Sequence, residues 1–150
     1  MLQWILVGLG ALIILGLGIY AGRLLFLLKA QNDRQQAARN KRIETITKSI
    51  QTIAFAMEQQ QCDPSEGAIR ICNLLEALPL DPQPDFVQKY PAMFALYADI
   101  QHFPTHEARQ ALSKAERRQQ DTQREQIESD YESKIQPELV ELKQFDTSKL

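Results

Sequence analysis

The chain is poor in the residues that build most metal and redox centres. Its 150 residues include two cysteines, Cys62 and Cys72, and two histidines, His102 and His106. Two cysteines are too few for a disulfide-stapled mini-protein. With Asp63 and Pro64 opening a helix, Cys72 lies nine residues into it, about 13 Å from Cys62 at helical rise. A disulfide needs Cα atoms within roughly 7 Å, so no internal bridge is expected. Cys72 falls on an apolar face and reads as a buried small residue. Cys62, beside a helix start, is placed for a lowered thiol pKa, but no histidine near it in sequence can activate it as a nucleophile. The histidines are four apart, yet Pro104 between them destroys the shared helical face that a metal pair needs. No metal and no cofactor is expected. No phosphate-cradling glycine loop, G-x-S-x-G, H-E-x-x-H or paired C-x-x-C is present.

Glycine, proline and positive charge are unevenly spread. Five of the six glycines lie within the first 22 residues, no proline precedes Pro64, and no Lys or Arg precedes Arg23. The stretch that lacks charge is instead apolar: 21 of the first 29 residues are hydrophobic, and Leu2–Tyr20 carries no charge at all. About 20 apolar residues cross a hydrocarbon core. A cleaved signal peptide would need a basic lead and a shorter apolar core, so residues 1–28 are expected to form a retained single-span anchor. All the nearby positive charge follows it, at Arg23, Lys29, Arg34, Arg39, Lys41 and Arg42. The positive-inside bias then leaves the N-terminus outside and the remainder in the cytoplasm. These basic residues also make anionic lipid a natural partner of the anchor and its flank. Gly18 and Gly22 are spaced as G-x-x-x-G, which lets two helix backbones approach closely. A homodimer through that face is one expected mode of association.

From Arg23 to Gln61 no Gly or Pro interrupts a helix. Residues 29–42 are almost wholly polar and read as a basic helical stalk. Ile43, Ile46, Ile50, Ile53 and Met57 then form an amphipathic stripe, opening a helical domain over residues 43–150. Asp63 caps a second helix, with Pro64 at its first position and Glu66 placed for a capping box. This helix is expected to turn Ile69, Cys72, Leu75 and Leu78 inward, with Ile71 and Leu74 flanking. Gly67 within it suggests either close contact with another backbone or tolerance of a marginal site. Residues 79–91 hold four prolines and read as a linker or extended loop. Pro91 opens a helix carrying Phe94, Tyr97 and Ile100, with Met93 and Leu96 beside them. Thr105 is expected to cap another helix, with the stripe Ala108, Leu112 and Ala115. Beyond Glu116 the sequence is charged and Gln-rich, an exposed arm supported by the pairs Arg117–Asp121 and Arg124–Glu128 and kinked or restarted at Pro137. No segment alternates with period two. The fold class is therefore all-α: one transmembrane helix, a polar stalk, then a small bundle with a long charged C-terminal helix.

The run Gln61–Arg70 (QCDPSEGAIR), with Tyr90-Pro91, Thr105–Arg109, Glu116-Arg117-Arg118 and an N-terminal anchor, resembles the gammaproteobacterial domain-of-unknown-function family DUF2489. The resemblance covers nearly the whole chain. It implies a bacterial inner-membrane setting and brings no activity, cofactor or site residue.

A large two-lobed enzyme is excluded by length. Charge beyond Arg42 sums to −7, so nucleic acid is not an expected partner. Glu66, Arg70, Glu107 and Arg109 flank apolar positions and are the candidate set for a small anionic ligand or a membrane-tethered catalytic site, with structural ion pairing as their plainer use. The favoured expectation is a single-pass inner-membrane protein whose helical domain acts as an adaptor or scaffold for a protein partner. The charged arm after Glu116 is expected to serve as an interaction surface or as a long packing helix.

Overall fold

A computed structural model describes residues 1–104 and 109–149, with the backbone alone for residues 2 and 4–6. Among the described residues every regular element is helical: α1 (Leu2–Glu58), α2 (Pro64–Glu76), α3 (Phe86–Lys89), α4 (Pro91–Ile100) and α5 (Lys114–Lys143), followed by a 3-10 turn at Thr147–Lys149. The chain divides into two compact units, Met1–Lys41 and Arg42–Leu150.

The first unit is helical throughout its described backbone beyond Met1. Its apolar side chains pack against nothing within the unit: Leu12, Ile14 and Phe26 are each 72% exposed. A row of large apolar side chains facing outward all round a helix is unstable in water and suits hydrocarbon. The helix is long and apolar enough to cross a membrane. A Cβ built on Gly18 or Gly22 would meet no atom within 4 Å, so nothing in the chain's own packing demands glycine at either position.

The second unit has a continuous core. Ile46, Ile50, Ala54 and Met57 of α1 join Ala68, Ile71, Cys72 and Leu75 of α2, Met93, Phe94, Leu96 and Ile100 of α4, and Ile135, Leu139 and Leu142 of α5. α4 packs against both α2 and α5, and α3 packs against α4. The expected inward residues Cys72, Leu75, Leu78, Phe94 and Ile100 are buried, and each face is wider than the expected stripe. In α2, Ile71 is fully buried whereas Ile69 is half-buried; in α4, Met93 and Leu96 are fully buried and Tyr97 is half-buried. Each helix is gripped on two sides, by α4 and α5 or by α2 and α5, so its apolar arc is wider than one stripe.

Three expectations are corrected by the second unit. The proline-rich segment 79–91 is more than a linker: it folds one turn of helix, α3, and inserts Phe86 and Tyr90 into the core at 4% and 2% exposure. Gly67 does meet a close neighbour, but the neighbour is the Met57 side chain and not a backbone; an added Cβ would lie 2.2 Å from its Sδ. The arm after Glu116 is the long packing helix of the two uses expected for it, without the expected break at Pro137. α5 runs unbroken through Pro137, and Ile135, Leu139 and Leu142 are buried along it, with Phe145 following. Proline removes one N–H bond from a helix, but the apolar step Ile127, Tyr131, Ile135, Leu139, Leu142 continues across it and holds the helix to the core.

The start of α5 also differs from expectation. Ser113 is extended, and its side chain accepts from the Glu116 N–H while the Glu116 carboxylate accepts from the Ser113 N–H, a complete capping box. The stripe Ala108–Leu112–Ala115 therefore does not lie on one helix. Ala115 is exposed and Leu112 half-buried; Ala108 and the expected Thr105 cap lie outside the described residues.

Candidate functional site

Two helices of the domain begin with proline, and α5 attends to both. Pro91 has no N–H, and the Phe94 N–H already reaches the Tyr90 carbonyl. The donors left over at the start of α4 are Ala92 and Met93, and the Glu138 carboxylate accepts both, one on each oxygen, at 2.8 Å. Burial pushes the Glu138 carboxyl above its ordinary value; the two N–H bonds pull it down without cancelling that effect, and neighbouring Glu141 adds to the rise. At α2, the expected Asp63 cap is present in backbone form only. Asp63 is extended and its side chain makes no cap bond. Glu66 does not turn back to it, because it pairs instead with Arg70 at 2.5 Å. The support comes from α5 here too: the buried Ser65 hydroxyl donates to Glu128. Asp99 of α4 accepts from the Tyr131 hydroxyl, and Lys143 meets Glu58 at 2.6 Å. One helix thus supplies the polar partners of α1, α2 and α4.

The charged residues singled out from sequence fall into separate pairs. Glu66 and Arg70 form an i,i+4 ion pair with both side chains more than half exposed. Arg109 donates to both oxygens of Asp121, at 2.7 and 3.0 Å. Asp121 also takes Arg124 at 3.6 Å, so it is engaged away from the expected partner Arg117, while Arg124 reaches Glu128 at 3.8 Å as expected. Glu107 lies outside the described residues. No contact among the described residues joins the Glu66–Arg70 pair to Arg109. Nor does any group of three or more His, Cys, Asp or Glu there stand in a metal-holding arrangement. Both cysteines are free. Burial, with the Glu66 charge behind it, raises the Cys62 thiol, against the expected lowering. Burial pushes Cys72 up to about 12, where it donates to the Met93 carbonyl.

A cleft of about 330 Å³ opens where the end of α1, the start of α2 and the middle of α5 meet. Met57, Pro64, Ile135 and Leu139 form its apolar floor; Asp63, Glu125, Glu128 and Glu132 stand around it, and no Lys or Arg lines it. Sequence reasoning missed it because its walls come from segments some sixty residues apart. The available signal was the apolar step through Pro137, which requires α5 to lie against the domain.

Fold and site together define a small all-α domain with polar cross-links from one long helix, in a chain whose N-terminal helix can span a membrane. The chain belongs to the family described as Protein of unknown function (DUF2489), whose model matches residues 14–142. It is 38% identical over 136 residues to an uncharacterised protein of Haemophilus influenzae, covering 91% of this chain and 90% of that one. No solved structure matches it.

Proposed function

We propose that the protein is a single-pass bacterial inner-membrane protein that holds a helical adaptor or scaffold domain at the cytoplasmic face. The observation that carries this reading is the contrast within one chain. Leu12, Ile14 and Phe26 lie fully outward, while Ile50, Leu75, Met93 and Leu142 are wholly enclosed. The first set needs a solvent other than water, and the second encloses a core of its own. Orientation rests on the six basic residues that all follow the apolar run. Arg23 and Lys29, nearest the hydrocarbon, add attraction to anionic headgroups of about 1 kcal/mol each. The open faces of Gly18 and Gly22 leave room for a second copy of the anchor.

Crosslinking in cells on the tagged full-length protein, with identification of what is captured, tests the adaptor reading. A discrete partner in fixed proportion supports it; recovery of self-crosslinks alone replaces it with self-association. A C-terminal reporter active only in the periplasm overturns the orientation. Gly18→Leu with Gly22→Leu is expected to abolish pairing in a membrane two-hybrid assay while leaving insertion intact.

A further inference from the structure

We propose that the cleft between α1, α2 and α5 is the domain's docking point for a partner protein, and that it receives an arginine or lysine side chain from a basic segment of that partner. The inference rests on the adaptor reading and names its surface. The cleft has two chemistries in the right order for such a side chain. Its floor, Met57, Pro64, Ile135 and Leu139, is apolar and matches an aliphatic stem. Its rim carries Asp63, Glu125, Glu128 and Glu132, no Lys or Arg lines it, and Arg124 from outside it offsets only Glu128 among them. Glu128 is fixed by the buried Ser65 hydroxyl and an ion pair with Arg124 at 3.8 Å, which leaves Asp63, Glu125 and Glu132 to meet an incoming cation. The Asp63 carboxylate is not consumed by capping. Gln60, Ser129 and Gln136 add neutral groups able to bond a peptide backbone. At about 330 Å³ the cleft admits a side chain and its neighbours and is too small for a whole helix. The carboxylate rim repels phosphates and other anions, which separates this cleft from the anionic-ligand role considered for Glu66, Arg70, Glu107 and Arg109. Arginine is among the residues enriched at the energetic centres of protein interfaces.

The test uses the full-length protein in phosphatidylcholine nanodiscs and a fluorescein-labelled peptide in which arginine alternates with leucine and glycine, read by anisotropy. The wild type is expected to bind it, and Glu125→Lys with Glu132→Lys is expected to weaken binding by about tenfold or more with an unchanged circular dichroism melt. Glu76→Lys with Asp81→Lys makes the same change in net charge away from the cleft and is expected to leave binding within about twofold at physiological salt. Absence of peptide binding, indifference to the cleft pair, or equal loss with the remote pair would each overturn the proposal. Failure of the adaptor reading is seen separately, because it appears as a lack of any partner in the cellular crosslinking whatever the peptide does.

Discussion

Glu138 and Met93 are 45 residues apart in sequence and joined at 2.8 Å, a carboxylate from one helix closing the N-terminus of another. Glu138→Ala removes the acceptor of two partly buried N–H groups at once. It is expected to cost about 1–3 kcal/mol, measured by urea unfolding. Glu138→Gln keeps one acceptor oxygen and is expected to cost less.

The same carboxyl gives the domain a pH signature. Its folded value is raised above the ordinary 4.5, chiefly by burial. The folded state therefore holds the proton more tightly than the unfolded chain does. This contribution is complete below about pH 4.5 and is lost as pH rises through the raised folded value. Relative to Glu138→Gln, the wild type is expected to lose stability across that interval, seen as converging or crossing unfolding midpoints from pH 4 to 7.

Gly67 and Met57 are expected to be coupled. Gly67→Ala gains helix propensity of about 1 kcal/mol but drives a methyl into the buried Met57 thioether. Overpacking of this kind costs about 1–3 kcal/mol, so the net change is expected to be destabilising. In a Met57→Ala background the same substitution is expected to be neutral or stabilising. A double-mutant cycle of unfolding free energies reads the difference.

The two thiols are expected to be poor nucleophiles for different reasons. At pH 8, Cys62 is reachable but kept protonated by burial and Glu66, so iodoacetamide should label it more slowly than a free thiol. Cys72 has no exposure and is expected to label at the rate of unfolding. Mass spectrometry of timed samples checks both rates.

Leu139→Ala is expected to cost about 2–5 kcal/mol, and Leu112→Ala less, because Leu139 is 1% exposed and Leu112 is half-buried. Comparable costs at the two sites would contradict the assignment of α5 as the core's outer wall.

What the sequence disclosed depended on whether a signal was local. The apolar run before Arg23, the stripe through Ile46 and Ile50, and the proline starts at Pro64 and Pro91 are written in neighbouring residues, and the helices follow them. Phe86 and Tyr90 were hidden among prolines, since a single helical turn has no period to detect. Leu139 and Leu142 read as a separate short apolar turn because Pro137 suggests a break, although their spacing from Ile135 keeps the helical step. The charged candidates Glu66, Arg70 and Arg109 attracted notice by flanking apolar positions; their actual partners, Arg70 and Asp121, show ion pairing. Glu128 and Glu138 looked like two more charges on a polar arm. Only the approach of α2 and α4 gives them their roles, and that approach is set by packing between distant segments.

The division of labour along α5 has a consequence in time. α2 and α4 emerge during synthesis before the residues that finish them, Glu128 and Glu138, have been translated. Until α5 arrives, the Ala92 and Met93 donors lack the Glu138 carboxylate, and α2 and α4 lack the long helix they pack against. By then the N-terminal apolar helix has already left the ribosome and can enter the bilayer. On the anchored reading proposed above, the chain would be tethered first and folded last, its domain left open until its final long helix closes it.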